Sequence, residues 1–328
     1  RYAKVNDMYL LALQGELGIG MLSYKSELNL PEVESLTLNE ILSYSSNRPL
    51  FPQLLEKYYL RNSLAGMQPK VSIPSANTIR TDRTVQQKDI IVKSFDSEFP
   101  LLTVNEFVCM EAARHCGLEP PTTYLSENLE TYVVERFDKT AEGLRLGYED
   151  FTTLMKKSND PDAKYTGSYE ALLKATYLYT NSQAEVEKMY KYIVFNCLIG
   201  NGDAHLKNFA LQYLPDMSNI FVSPPFDITH TLIYPTIDNK MALKLANSKE
   251  FPNLQHLLKL AESSHFKIRK AKEIIEFLSD NIIDYLKHSN EIQLFEGLRE
   301  SIESSVSNIM TSNFSVKTYR HDKKKKFE

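Results

Sequence analysis

No stretch of the 328-residue chain stays apolar long enough to span a bilayer, and the first thirty residues do not read as a secretory signal. A membrane partner is not expected. Basic residues are not in excess: 38 Lys and Arg face 42 Asp and Glu, a formal net charge of -4. That mild acidity argues against non-specific nucleic-acid binding as the main activity, and direct nucleic-acid contact is not expected. Cysteine is scarce, since Cys109, Cys116 and Cys197 form no CxxC pair and leave an odd number. Buried thiols in a reducing compartment are expected, with Cys109 and Cys116 on one helix. Gly15, Gly18 and Gly20 lack the strand–loop–helix context of a nucleotide fingerprint and read as strands or turns. No internal repeat is present, and the only biased segment is the terminal run Lys323 to Lys326. That run reads as a frayed, solvated end or, more sharply, as an import or nucleic-acid patch.

What is present centres on Lys191 to Asn208. Val186, Met189, Tyr190, Ile193, Val194, Cys197 and Leu198 repeat at helical period and predict a helix with one buried stripe. Gly200-Asn201-Gly202 then breaks it, because Gly and Asn tolerate the backbone of a sharp turn. Asp203, His205, Lys207 and Asn208 follow at once, polar side chains on a loop held by a packed element. Asp203 and Asn208 have the D-x4-N spacing of a phosphoryl-transfer loop, a carboxylate for the substrate hydroxyl and an amide for a metal. The same pair also reads as an ordinary cap or turn. Asp227, in Phe226-Asp227-Ile228 beyond a predicted hairpin (Phe209 to Leu214, Ile220 to Val222), is a candidate second metal ligand.

Upstream, residues 62–70 form a small-residue loop containing Ser63, Ala65 and Gly66, and feed the strand Val71 to Ile73. Such a loop can fold over phosphates or be a plain hairpin turn. A strand over Asp89 to Phe95 carries Lys93, which either faces solvent or grips the α/β-phosphates. Thr103 and Glu106 have capping-box spacing at the start of a helix that Gly117 stops; alternatively Glu106 pairs with Lys93. Thr131 to Asp138 predicts a strand running into a hinge-like junction. Short helices are expected over Leu38–Tyr44 and Pro52–Tyr59, helical structure from Tyr148 to Met155, and a loop over Ser158 to Ser168. Helices are expected over Tyr169–Tyr179 and Ala184–Ile199, and from Leu254 to the end, with stripes at Ile274, Ile275, Leu278, Ile282, Ile283 and Leu286 and at Leu294, Leu298, Ile302, Val306 and Ile309. The order predicts an α+β, two-lobed fold: a small β-rich lobe over 1–137 and a larger α-helical lobe over 138–328.

Taken together, NSLAGMQPK, VKSF, VNEFVCMEAARHCGL, YVVERFDK, GNGDAHLKNFAL and PPFDIT resemble, in order and spacing from about residue 60 to 235, the HipA-like serine/threonine kinases, bacterial enzymes with a protein-kinase-like fold. The resemblance implies ATP and Mg²⁺ as cofactors. It implies Asp203 as catalytic base, Asn208 and Asp227 as Mg²⁺ ligands, and Lys93 on the ATP phosphates. It further implies Ser63, Ala65, Gly66 and His205 at the nucleotide, Glu135 and Phe137 as backbone adenine contacts, and Ser63 as an autophosphorylation site whose charge would push the loop out. Only some sixty residues precede Ser63, so an N-terminal subdomain is expected to be missing, as in the family's short forms, HipT-type toxins and CtkA-type translocated kinases. Expected partners are a protein with a Ser or Thr hydroxyl and an antitoxin or small companion protein. The expected setting is the bacterial cytoplasm or, for a secreted effector, a host cell. The rival expectation is a catalytically silent, kinase-like binding module; all four of Lys93, Asp203, Asn208 and Asp227 being present argues against it.

Overall fold

The computed structural model describes residues 7–15, 18–25, 27, 36–58, 70–73, 77–80, 83–86, 89–95, 97–140, 142–263 and 268–311. The chain begins with helices α1 (Asp7–Gln14), α2 (Leu38–Leu42) and α3 (Leu50–Tyr58). A reciprocal cap starts α2, with the Glu40 backbone N–H donating to Thr37 Oγ1 at 3.3 Å and Thr37 N–H to Glu40 Oε2 at 2.7 Å. Strands β1 (Lys70–Ile73), β2 (Asn77–Arg80), β3 (Arg83–Gln86) and β4 (Ile90–Lys93) lead to helix α4 (Leu102–His115), β5 (Thr123–Leu125) and β6 (Tyr132–Glu135). One antiparallel sheet has the order β1-β4-β6-β5, and β2 and β3 pair by themselves.

Alternation across the pleat decides where Lys93 points. Ile90, Val92 and Val133 join Val71, Ile73 and the faces of α2 and α3 in a small hydrophobic cluster. Tyr132 and Val134 instead join α4 in the large cluster, against which Ile91 also packs. Lys93 lies two residues from Ile91 and opposite Tyr132, so it projects toward α4 and away from the small cluster.

The second half contains β7 (Gly147–Asp150), α5 (Phe151–Leu154), a 3₁₀ turn at Pro161–Tyr165, α6 (Tyr169–Thr180) and α7 (Gln183–Leu198). A 3₁₀ turn at Leu206–Asn208, strands β8 (Ala210–Tyr213) and β9 (Phe221–Val222), and helices α8 (Leu254–Ser263), α9 (Ala271–His288) and α10 (Leu298–Thr311) follow. Strands β7, β8 and β9 form an antiparallel sheet. Helix α7 is the axis of the large core. Its predicted stripe is buried throughout, and Tyr192, Phe195 and Asn196 are buried as well, so it is enclosed on nearly every side. Ser182 caps it, accepting from the Glu185 N–H at 3.3 Å.

Several expectations are corrected. The segment from Tyr148 begins as strand β7 and turns helical only at Phe151, because its backbone pairs with β8. The loop expected over Ser158 to Ser168 contains a 3₁₀ turn. Leu294 is exposed, outside the stripe that α10 buries. The stretch leading to Gly15, read as strand or turn, is helical up to Gln14 and turns at Gly15, φ +49°. Thr103 and Glu106 do not form a capping box: the residue before α4 is Leu101, in a left-handed conformation, and Thr103 Oγ1 donates to the Leu129 carbonyl at 2.6 Å. All three thiols are buried and free, as expected, with Cys109 on α4 and Cys116 at the cap just beyond its end.

An unforeseen contact ties the N-terminal segment to the hinge. The Arg136 guanidinium, buried, pairs with Asp138 and donates to the Gly18 carbonyl at 2.8 Å. Asp138 Oδ2 accepts from Gly20 N–H at 3.0 Å, and Arg145 donates to the carbonyls of both glycines.

Candidate active site

Lys93 Nζ is the centre of the site. It donates to Glu106 Oε1 of α4 at 2.5 Å and to Asp227 Oδ1. Lys93 is only 5% exposed and Glu106 1%, so neither charge can rely on water. Burial disfavours the ammonium, but the charges of Asp227 and Glu106 outweigh it and hold the Lys93 pKa above the ordinary lysine value. Burial likewise works against the Asp227 carboxylate, and Lys93 with Lys70 overcomes it, keeping that pKa well below the usual range. Glu106 is pushed up by burial, with Lys93 as the opposing charge. Tyr132 lies under the ammonium, 5.6 Å from nitrogen to ring centroid.

Asp227 has φ near +60°, an unusual backbone for a residue with a side chain and a kind of strain that clusters at functional sites. Its second oxygen accepts from Asn208 Nδ2 at 3.1 Å, while Asn208 Oδ1 accepts from the His205 backbone N–H at 3.1 Å. Asn208 thus makes a capping contact at the turn Leu206–Asn208 and also reaches Asp227. The amide oxygen, which the sequence assigned to a metal, is here engaged by the loop's own backbone.

The loop itself is held from beneath. Gly200, at φ +76°, lies so close to His230 that a Cβ there would approach Nδ1 to 2.7 Å. His230 contacts the Ile199 carbonyl and Ser301 Oγ, each at 2.6 Å, and its backbone N–H donates to Asn105 Oδ1 on α4 at 2.7 Å. Asn201 Oδ1 accepts from Asp203 N–H at 3.1 Å and its amide donates to Asn196 Oδ1 at 2.7 Å. Asp203 is exposed, and Tyr165 donates its hydroxyl to Asp203 Oδ1 at 3.2 Å. Partial desolvation raises the Asp203 pKa above the ordinary carboxylate value, against the opposing charge of Lys164. His205 is buried and neutral, its pKa lowered by burial to about 4.

At the hinge, Glu135 N–H donates to the Thr122 carbonyl and the Phe137 carbonyl accepts from Gln212 Nε2, each at 2.9 Å. Phe137, Tyr148 and Phe226 form an aromatic trio with centroids 5.4 to 6.4 Å apart. Tyr165, Tyr148 and Phe226 were missed by sequence reasoning. Phe226 adjoins Asp227 and could have been flagged, whereas Tyr148 and Tyr165 come from segments whose structure was misread. Ser63, Ala65 and Gly66 lie outside the described residues, as do Lys323 to Lys326.

The residues fit nucleotide and metal. Among the described residues, Glu106 Oε2 and His205 Nδ1 are buried polar atoms without a hydrogen-bond partner. Among the described residues no cluster of three metal-binding side chains exists. An amide and one carboxylate are oxygen donors of the kind that hold Mg²⁺ when phosphates complete its shell.

A lysine–glutamate pair between sheet and helix, with an Asp/Asn loop and a second Asp converging on it, is the layout of a kinase-like fold. The family described as "HipA-like C-terminal domain" matches residues 62–285, more than half of the chain, and the protein belongs to that family. It is 31% identical over 242 residues to "Putative kinase Y4dM" of Sinorhizobium fredii, covering 66% of this chain and 58% of that one. It is 23% identical to "Serine/threonine-protein kinase toxin HipA" of Shewanella oneidensis, over 71% of this chain and 58% of the toxin. The chain thus spans little more than half the length of these relatives. In fold it matches the Shewanella oneidensis HipA in complex with HipB and operator DNA, with TM-score 0.65 and 17% identity, over 94% of this chain and 79% of that one. The fold is therefore of the HipA type, mixed helix and sheet, as expected. The expected lack of a nucleic-acid partner finds no support in that comparison. No described helix is long and apolar enough to cross a membrane.

Proposed function

We propose that the chain is an ATP- and Mg²⁺-dependent serine/threonine protein kinase. The observation that carries this reading is the convergence of Glu106, Lys93, Asp227 and Asn208 through direct side-chain contacts, from four separate segments, with Asp203 on the same loop as Asn208. Lys93, fixed by Glu106, presents its ammonium to the α/β-phosphates. Asn208 and Asp227 hold Mg²⁺, which when bound neutralises charge on the β- and γ-phosphates. Asp203 orients the acceptor hydroxyl and takes its proton. Phe137, Tyr148 and Phe226 offer an apolar wall to the adenine, with the Glu135 carbonyl and the Phe137 N–H as its backbone contacts, their other backbone groups being engaged elsewhere. Positioning and electrostatics then supply most of the rate.

Ser63 is the proposed site of self-phosphorylation, and residues 1–137 and 138–328 the two lobes. A role as a toxin restrained by an antitoxin is supported by kinship to HipA, and action on host proteins is the second setting. The test is intact-mass measurement after incubation with ATP and Mg²⁺, for the wild type, Asp203→Asn and Ser63→Ala. A phosphate gained by the wild type and absent from Asp203→Asn is expected; its absence in Ser63→Ala as well places the modification. A wild type that starts unmodified and gains nothing, on itself or on added protein, would instead favour a silent binding module.

A further inference from the structure

Of the charged residues at the site, Lys93, Glu106 and Asp227 are held by ion pairs, whereas Asp203 makes none among the described residues. Its backbone is pinned through Asn201 and Asn196, but a pinned backbone leaves the carboxylate free to turn about its side-chain bonds. Among the described residues, the side chain that hydrogen-bonds this carboxylate is Tyr165, at 3.2 Å. We propose that Tyr165 is a positioning residue for phosphoryl transfer, its hydroxyl fixing Asp203 Oδ1 so that Oδ2 faces the acceptor hydroxyl. This rests on the kinase reading given above.

The turn that carries the pair is built to hold it. Asp160 Oδ1 accepts from Asp162 N–H at 2.9 Å, Pro161 sets the first position of the turn, and Thr166 Oγ1 donates to the Ala163 carbonyl at 2.7 Å. Ala163 is buried under the turn, and Lys249 Nζ donates to the Tyr165 carbonyl at 3.4 Å. The Tyr165 ring meets His205 edge-on, centroids 5.3 Å apart, so the same residue braces the catalytic loop and reaches its carboxylate. Lys164 Nζ lies 4.8 Å from the Tyr165 ring centroid. Burial, followed by the charge of Asp203, pushes the Tyr165 hydroxyl up to about 12, so it remains a donor wherever Asp203 is ionised.

The groups acting on Asp203 are Lys164 and Tyr165 from the turn, Asp227 from beyond β9, and Lys70 from β1. Lys164, Tyr165 and Lys70 favour the carboxylate; desolvation and Asp227 oppose it. Removing the tyrosine hydroxyl must therefore raise the pH at which the base becomes protonated, and removing the lysine must do the same.

The experiment compares wild type, Tyr165→Phe, Tyr165→Leu and Lys164→Met. Phosphate transfer from MgATP to the chain and to water is followed by intact mass and phosphate release across pH. Tyr165→Phe keeps the ring against His205 and removes only the hydroxyl. Expected are a maximal rate lowered about tenfold, the scale of one lost hydrogen bond to a charged group, an unchanged half-saturating ATP concentration, and an acid limb moved to higher pH. Lys164→Met should move the limb the same way, and Tyr165→Leu should cost at least as much rate as Tyr165→Phe. Thermal stabilisation by MgATP, retained in Tyr165→Phe, reports that the fold and nucleotide site are intact. A Tyr165→Phe protein with wild-type rate and wild-type acid limb overturns the inference and leaves the kinase reading standing. A wild type that transfers nothing overturns both.

Discussion

The site has a sealed half and an open half. Lys93 and Glu106 lie between sheet and helix with almost no solvent, and Asp227 closes the group; Asp203 sits exposed across the loop with a tyrosine for company. In the sealed half the geometry required for function is also required for folding, since a buried charge that loses its partner is heavily penalised. In the open half Asp203 is exposed and in no ion pair among the described residues, so its placement matters more to chemistry than to folding. The two halves should therefore respond differently to substitution.

The largest effect is expected from Lys93→Met. Transfer should fall by about a thousandfold or more, and the stranded Glu106 should cost roughly 3–5 kcal/mol of folding stability. Changing both residues to methionine should recover most of that stability in denaturant titration while transfer stays lost. A double variant no more stable than the single one would show that the pair does not carry the penalty. Asp203→Asn is the counterpart on the open side. Its transfer should drop by about 10²–10⁴, with a change in stability within about 0.5 kcal/mol. A large destabilisation there would erase the distinction between the halves.

The same physics explains how much was legible beforehand. Lys93, Glu106, Asn208 and Asp227 stood out because each belongs to a short local pattern with a strand, helix or turn around it, and the resemblance put them in order. Sequence spacing could not choose between a capping box and an ion pair for Glu106. The choice depends on how far α4 lies from β4, a matter of tertiary packing in the large core that Val104, Val108, Tyr132 and Val134 share. The α7 stripe and the β8–β9 hairpin were legible from periodicity and punctuation. Tyr165 and Tyr148 were not, because each acts across a long stretch of chain from segments with no periodic signal. Nor were the glycine carbonyls held by Arg136 and Arg145, since a backbone acceptor leaves no trace in residue type.

Beneath the two halves lies His230, whose ring joins the end of α7 to α10. Burial lowers its pKa from 6.5 to about 4, leaving it neutral in the fold. Between those values the unfolded chain binds a proton that the native state refuses, so stability is greatest above pH 6.5 and declines as pH falls toward 4. The full loss attributable to this residue is about 3 kcal/mol. His230→Gln should flatten the pH dependence of unfolding free energy in that window by about one proton. An unchanged slope would mean that the ring protonates without leaving its place.

Gly200 tests whether the support under the loop is a matter of backbone or of packing. It has φ +76° and its missing Cβ would sit 2.7 Å from His230 Nδ1 and 3.0 Å from Ser301's neighbour Ser305 at Oγ. Gly143 has a similar φ of +83° but nothing within 4 Å of the added atom. Gly143→Ala therefore reports conformational strain alone, about 1 kcal/mol. Gly200→Ala adds overpacking against a ring held by two short hydrogen bonds, for a total of roughly 2–4 kcal/mol. Because the displaced ring also anchors Asn105 of α4 through its backbone, the sealed half should feel the change together with the loop. The expected signature is a raised half-saturating ATP concentration as well as a slower maximal rate, whereas Tyr165→Phe should change the rate alone. Equal losses of stability for the two glycine variants would show that His230 gives way freely, and that the loop is held by its turn and not by what lies under it.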